Sequence, residues 1–165
     1  MREGAAAVAP YIHSYGLIAL FVLVFLESVG APLPGEATLI TASALALGGQ
    51  LPLSGVFLVA TLAATLGDNV GYWIGRKGGS VLLERFGHFV GLTTQRRAWI
   101  EQLYTERGAI IVVGARFVVV LRQLNGIVAG SMKMAWPVFA LANAVGALLW
   151  AGAWCFGPYL LARLF

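Results

Sequence analysis

Charge is what this sequence has least of. Eleven Lys and Arg and seven Asp and Glu make up 11% of its 165 residues, against roughly 25% in a soluble domain. That is too little to coat a water-exposed surface, which excludes an ordinary soluble enzyme and a disordered, highly charged chain. Cysteine occurs once, so no intrachain disulfide can form. Cys155 lies in an apolar run and reads as a small packing residue. Histidine occurs twice; His13 and His88 lie outside every motif described below, and no cluster of His, Cys or paired acids has metal-ligand spacing. What is abundant instead is apolar: 59% hydrophobic residues, 21 Gly, 9 Phe and 5 Trp, with mean hydropathy +0.84. Glycine and interfacial aromatics at that level suit a bilayer, and the expected fold class is an all-α polytopic membrane protein.

A spanning helix needs about 20 predominantly apolar residues. Three stretches qualify, at 8–26, 53–74 and 134–162. The first reads as a retained helix rather than a cleaved signal, because Pro32 directly follows the small residues where cleavage would fall. The third is long enough for one tilted helix, with Gly146 or the Gly157–Pro158 pair as places for a bend. Between the first two, residues 27–49 open with ESVGAPLPGE, whose prolines, glycines and acids cannot continue a helix through lipid. The short apolar arm behind them ends at Gly48 and Gly49, so a re-entrant hairpin is expected. Residues 109–130 repeat the pattern. They are apolar but carry Arg116, Arg122, Gln123, Asn125 and Gly126, and two mid-segment arginines facing lipid would cost about 2.5–3.5 kcal/mol each. A second re-entrant hairpin removes that conflict.

The formal charge of +4 reflects a membrane surface rather than nucleic acid. Most of the basic residues gather in an amphipathic segment at 75–108, with Arg76, Lys77, Arg85, Arg96, Arg97 and Arg107 set against Glu84, Glu101 and Glu106. The excess of Lys and Arg puts this segment on the cytoplasmic side. The resulting path is helix, outer hairpin, helix, inner loop, inner hairpin, helix, with the C terminus outside.

Five ionisable groups remain beside or inside the apolar segments: Glu27, Glu36, Asp68, Arg116 and Arg122. Each would be costly against lipid, so each is expected to face an interior or a cavity. Blander readings exist. Glu27 and Glu36 would be wet at the membrane surface, Asp68 would cap a bend or pair with Arg76, and the arginines would snorkel. A shared site accounts for all five together. Arginine forks suit phosphate, broken helices aim positive ends at anions, and partly dry carboxylates take up protons near physiological pH. This is the equipment of a proton-coupled transporter of an anionic, lipidic substrate. No nucleophile–base pair is evident, so a carrier is expected rather than an enzyme. The glycines of 126–130 read as a close-packing surface, and Trp136, Trp150 and Trp154 as interfacial or packing aromatics.

Three blocks in order, FLESVGAPLPGE (Phe25 to Glu36), GDNVGYWIGRKGG (Gly67 to Gly79) and RFVVVLRQLNGIVAGSMKM (Arg116 to Met134), resemble the DedA family, also called the SNARE-associated or VTT-domain family. The resemblance implies two re-entrant hairpins facing each other among full spans. It also implies a bacterial inner-membrane flippase that recycles undecaprenyl phosphate and depends on proton motive force. By the same resemblance Arg116, Arg122 and Asn125 would bind the phosphate. Glu27, Glu36 and Asp68 would couple protons or gate, and Pro34, Gly35 and Tyr72 would support the site. The implied partner is a membrane lipid with a phosphate head group, with no nucleic acid and no cofactor; a homo-oligomer is left open. Phospholipid scrambling or a role in membrane homeostasis is one alternative, and a lipid phosphatase another. One departure concerns the second hairpin. Val119 stands where the family often has proline, so the break is expected at Gln123, Leu124, Asn125 and Gly126 instead.

Overall fold

The computed structural model describes the backbone of residues 2–86 and 94–164, with side chains over 15–79, 95, 98–119 and 121–157. Among the described residues there are six helices and no strand: α1 (Arg2–Val29), α2 (Gly35–Leu47), α3 (Leu53–Phe86), α4 (Thr94–Ala115), α5 (Val119–Ser131) and α6 (Trp136–Leu164). His88 and the side chain of His13 lie outside the described residues.

Local chemistry fixes where each helix stops. α1 ends in a Schellman turn, with Gly30 at φ 124°. The Gly30 amide donates to the Glu27 carbonyl and the Ala31 amide to that of Leu26, both at 3.0 Å. Glycine adopts that left-handed backbone without a Cβ penalty, and Pro32 and Pro34 then keep the chain extended until α2 begins. α2 closes the same way at Gly49, where φ is 75°. Over 27–49, where a hairpin was expected, the chain runs as the end of α1, a five-residue link over 30–34 and a 13-residue helix.

The second break lies elsewhere than its sequence suggests. α4 stops at Ala115, residues 116–118 turn, Val118 is extended at φ −114° and ψ 118°, and α5 starts at Val119. Gln123, Leu124, Asn125 and Gly126, where the break was expected, lie inside α5. Gly126 does not interrupt the helix because it is a packing position. A Cβ there would collide with the Asp68 carbonyl on α3, and one at Gly130 with that of Tyr72. α3 contributes the matching surface, with Gly71, Gly75 and Gly79 spaced one helical turn apart against Ile127 and Ser131, while Gly67, one turn earlier, packs on Phe25 and Ser28 of α1. Small residues at that spacing let two backbones touch, so the close-packing reading of 126–130 holds. α3 was expected to end near 74 but runs on to Phe86, and the seam carries it as far as Gly79. Of the 75–108 segment, 75–86 belong to α3 and 94–108 to α4.

α3 is the central helix and packs on α1, α5 and α6, while α2 rests against α1, α3 and α6. Two apolar cores result. One joins Leu20, Val24, Leu39, Val56, Ala60, Ala64, Ala147, Trp150 and Cys155. The other joins Tyr72, Val112, Ala129, Met132, Met134 and Phe139. Along α3, Asp68 falls between Ala64 of one core and Tyr72 of the other. Along α6, Asn143 falls between Phe139 and Ala147. A polar layer therefore divides the two cores.

The outside is apolar. Leu58, Leu62, Leu66, Val70 and Ile74 form an exposed stripe along α3, and Leu141, Val145, Leu148 and Leu149 are exposed on α6. Such a surface matches hydrocarbon, not water. The expected spans at 53–74 and 134–162 have helices long and apolar enough to cross a membrane, over Leu53–Gly79 and Trp136–Gly157. α1 is helical through the expected 8–26, and its described apolar part runs over Tyr15–Val29. α6 stays helical past Gly146 and the Gly157–Pro158 pair.

Candidate functional site

All five ionisable groups singled out from the sequence lie in the interior layer, and they pair with one another. Arg116, in the turn between α4 and α5, uses Nη2 for both Asp68 Oδ2 on α3 and Asn143 Oδ1 on α6. Arg116 and Asp68 are each 0% exposed. Asn143 is itself held by its Nδ2, which donates to the Thr65 carbonyl at 3.0 Å. Asp68 thus pairs with Arg116 and not with Arg76, which is exposed.

Arg122, one turn into α5, reaches the first hairpin. Its Nη2 donates to Glu27 Oε1 at 2.8 Å and its Nη1 to Glu36 Oε2 at 2.5 Å. Glu27 is 3% exposed, which rules out a wet surface position; Glu36, at 28%, is the more accessible of the two. The start of α2 favours this arrangement. Glu36 sits in its first turn, and the Glu27 carboxylate fills the space that a side chain on Gly35 would need. Carboxylates at a helix N-terminus are stabilised by the aligned peptide dipoles, by about 0.3–1 kcal/mol each. Gly35 thus leaves room for the Glu27 carboxylate, and the Pro34 carbonyl accepts from the Thr38 amide at 3.0 Å at the start of α2.

Two partners of the arginines were not legible from sequence. Asn143 lies in an uncharged apolar run and carries no motif signal. Trp150 reads as interfacial or packing, yet it is buried, and the Arg122 Cζ sits 5.0 Å from its ring centroid. The one available hint was helical spacing, because Asn143, Gly146 and Trp150 fall on one face of α6. The remaining candidates have fixed partners. Asn125 Nδ2 donates to the Val112 carbonyl at 3.1 Å, tying α5 to α4. The Tyr72 hydroxyl donates to the Met134 carbonyl at 2.6 Å, and its ring stacks on Phe139 at 4.7 Å. Cys155 is buried beside Ser43, in keeping with a packing role.

The layer is a set of ion pairs. Three carboxylates against two guanidiniums leave one net negative charge if all are ionised. Both arginines are already neutralised, so an incoming anion must compete with a carboxylate for a guanidinium. Among the described residues no group of three or more His, Cys, Asp or Glu gathers that could hold a metal.

Comparison with known proteins agrees with this layout. The VTT domain family matches residues 33–160, a region that includes four of the five charged groups and both short helices. The chain is a VTT-domain protein. This is the domain of the DedA family proteins, so the family read from the three sequence blocks is the family found. An uncharacterized membrane protein of Synechocystis is 36% identical over 152 residues, covering 92% of this chain and 70% of that protein. An uncharacterized membrane protein of Mycobacterium bovis is 38% identical over 137 residues, covering 79% of this chain and 62% of that protein. An alkaline phosphatase-like protein of Lactococcus lactis is 27% identical over 144 residues, covering 84% of this chain and 67% of that protein. No solved structure matches. This VTT-domain chain is a membrane protein, as its relatives are named, and two of its helices are long and apolar enough to cross a membrane.

Proposed function

We propose that this chain is a flippase for an anionic lipid carrier, with undecaprenyl phosphate as the substrate and the proton motive force as the driver. In this reading it lies in the bacterial cytoplasmic membrane. α1, α3 and α6 span the bilayer, while α2 and α5 are the arms of two re-entrant hairpins that meet from opposite sides. The observation that carries the reading is Arg122, held by carboxylates from both ends of the first break, Glu27 at 2.8 Å and Glu36 at 2.5 Å. A single guanidinium thus links the two hairpins.

The mechanism follows from the charge balance. In the resting arrangement the carboxylates occupy the arginines. Protonation of Glu36, the more exposed acid, removes its charge and releases Arg122 Nη1. The lipid phosphate then takes the freed donors, with Arg116 as the second cation and Asn125 nearby on α5. Loss of the Arg122–Glu36 link frees α2 from α5 while Glu27 stays on Arg122, and a shift of α2 against α5 changes which side of the membrane the phosphate reaches. Deprotonation on the far side restores the carboxylate to Arg122 and expels the phosphate.

Purified protein in proteoliposomes tests this directly. Undecaprenyl phosphate should cross with wild-type protein and fail to cross with Arg122→Gln. Unchanged translocation by Arg122→Gln would refute the assignment. The Lactococcus relatives named alkaline phosphatase-like raise hydrolysis of the same phosphate as a second reading. Release of inorganic phosphate from the lipid in the same vesicles would favour it over transport.

A further inference from the structure

Six buried polar atoms in this layer have no hydrogen-bond partner among the described residues: Asp68 Oδ1, Arg116 Nε and Nη1, Arg122 Nε, Asn125 Oδ1 and Trp150 Nε1. Four of the six are donors, and they come from three side chains. Buried donors are ordinarily satisfied, so four orphaned donors on three side chains point to an acceptor brought from outside. The indole is the informative member. An arginine in an ion pair can leave one nitrogen idle, but a buried Trp N–H has a single donor and no second use.

The geometry of α6 ties the indole to the arginines. Asn143, Gly146 and Trp150 share one face of the helix. Asn143 holds Arg116, and a side chain on Gly146 would sit 3.5 Å from Arg116 Cδ and Nε. Trp150 lies under the Arg122 guanidinium at 5.0 Å. One helical face therefore runs beneath both cations. We infer that this face is the third wall of the anion site and that Trp150 is a binding residue in it. The indole holds Arg122 flat against its ring and donates its Nε1–H to the oxyanion that occupies the site. The inference rests on the reading of Arg116 and Arg122 as an anion site, and it adds a ligand-contacting group that neither charge nor motif indicates. The ligand chemistry is a terminal phosphate monoester, whose three free oxygens can accept from donors arriving from three side chains; it is either lipid-borne or free.

The test uses the full chain in phosphatidylcholine nanodiscs with 5-fluorotryptophan at all five Trp positions. The Trp150 resonance is identified by its loss in Trp150→Phe. Titration with dodecyl phosphate should move that resonance while those of Trp73, Trp99 and Trp136 stay in place. Inorganic phosphate, titrated separately, distinguishes a lipid head group from a free anion: a shift with both probes supports a site for either source, and a shift with dodecyl phosphate alone supports a lipid-borne group. Trp150→Phe keeps an aromatic ring under Arg122 but removes the N–H. Its affinity for dodecyl phosphate should fall about tenfold or more, as loss of a hydrogen bond to a charged group does. Wild-type affinity in Trp150→Phe, or an unmoved Trp150 resonance while dodecyl phosphate binds, would overturn the inference and leave the proposed function standing. If neither probe binds wild-type protein, the anion site itself is refuted and the inference falls with it.

Discussion

Asp68→Asn tests the buried ion pair at nearly constant shape. It keeps the size of the side chain and an amide oxygen that can still accept from Arg116, but removes the charge, leaving the guanidinium with neutral hydrogen-bond partners only, the new amide and Asn143. Both members of the pair are 0% exposed, so the orphaned guanidinium cannot turn to water. Breaking a buried pair by removing one partner costs about 3–5 kcal/mol. For a chain of this length each 1 kcal/mol moves the unfolding midpoint by about 2–4 °C, which gives a drop of about 6–20 °C. The discriminating variant is the double change Asp68→Asn with Arg116→Met. It removes both charges and fills the arginine's place with an adaptable apolar chain, and replacing a whole buried pair is often close to neutral. Thermal unfolding in detergent, read as the surviving monodisperse fraction on size exclusion, should rank Asp68→Asn lowest and the double variant nearer to wild type. An Asp68→Asn midpoint within 2 °C of wild type would refute the reasoning, as would strictly additive losses in the double variant.

Three further outcomes follow from particular contacts. Gly35→Ala should displace the Glu27 carboxylate from the space it occupies and lower translocation as severely as Glu27→Gln, which parallel proteoliposome assays would show; wild-type rates would sink the room-making role of Gly35. Gly130→Leu should drive α5 off α3, because even a Cβ at that position meets the Tyr72 backbone; overpacking costs typically 1–3 kcal/mol or more, and a yield of folded protein equal to wild type would contradict the seam. Tyr72→Phe removes a buried 2.6 Å hydrogen bond to the Met134 carbonyl and should cost about 1–3 kcal/mol while leaving the substrate dependence of translocation unchanged.

Much of this molecule was legible in its sequence because a bilayer makes polar residues conspicuous. Asp68, Arg116, Arg122, Glu27 and Glu36 stood out against apolar runs, and the cost of facing lipid required them to turn inward. The first break was legible as well, since prolines and a left-handed glycine have few other uses at that density. The second break was not. Arg116, Phe117 and Val118 contain no breaker residue, and the chain turns there because Arg116 is drawn to Asp68 and Asn143, which lie 48 and 27 residues away. Gly126 looked like the breaker but proved to be a contact, because a glycine facing another helix and a glycine ending its own have the same letter. Pairing was hidden for a similar reason. Nothing local says that Asp68 meets Arg116 rather than Arg76, or that Arg122 serves both glutamates. Trp150 and Asn143 were overlooked because a buried neutral side chain in an apolar helix reads as packing until the cation beside it is in place.

The central claim is that phosphate and carboxylate exchange on Arg122 and that a proton makes the exchange possible. The number of protons taken up as the phosphate binds measures this most directly. Titration calorimetry of purified protein with dodecyl phosphate, repeated in buffers of different ionisation enthalpy, gives that number. With three carboxylates set against two guanidiniums, net uptake of about one proton or more per phosphate is expected in wild-type protein, falling toward zero in Glu36→Gln. Binding with no proton uptake by the wild-type protein would contradict the account.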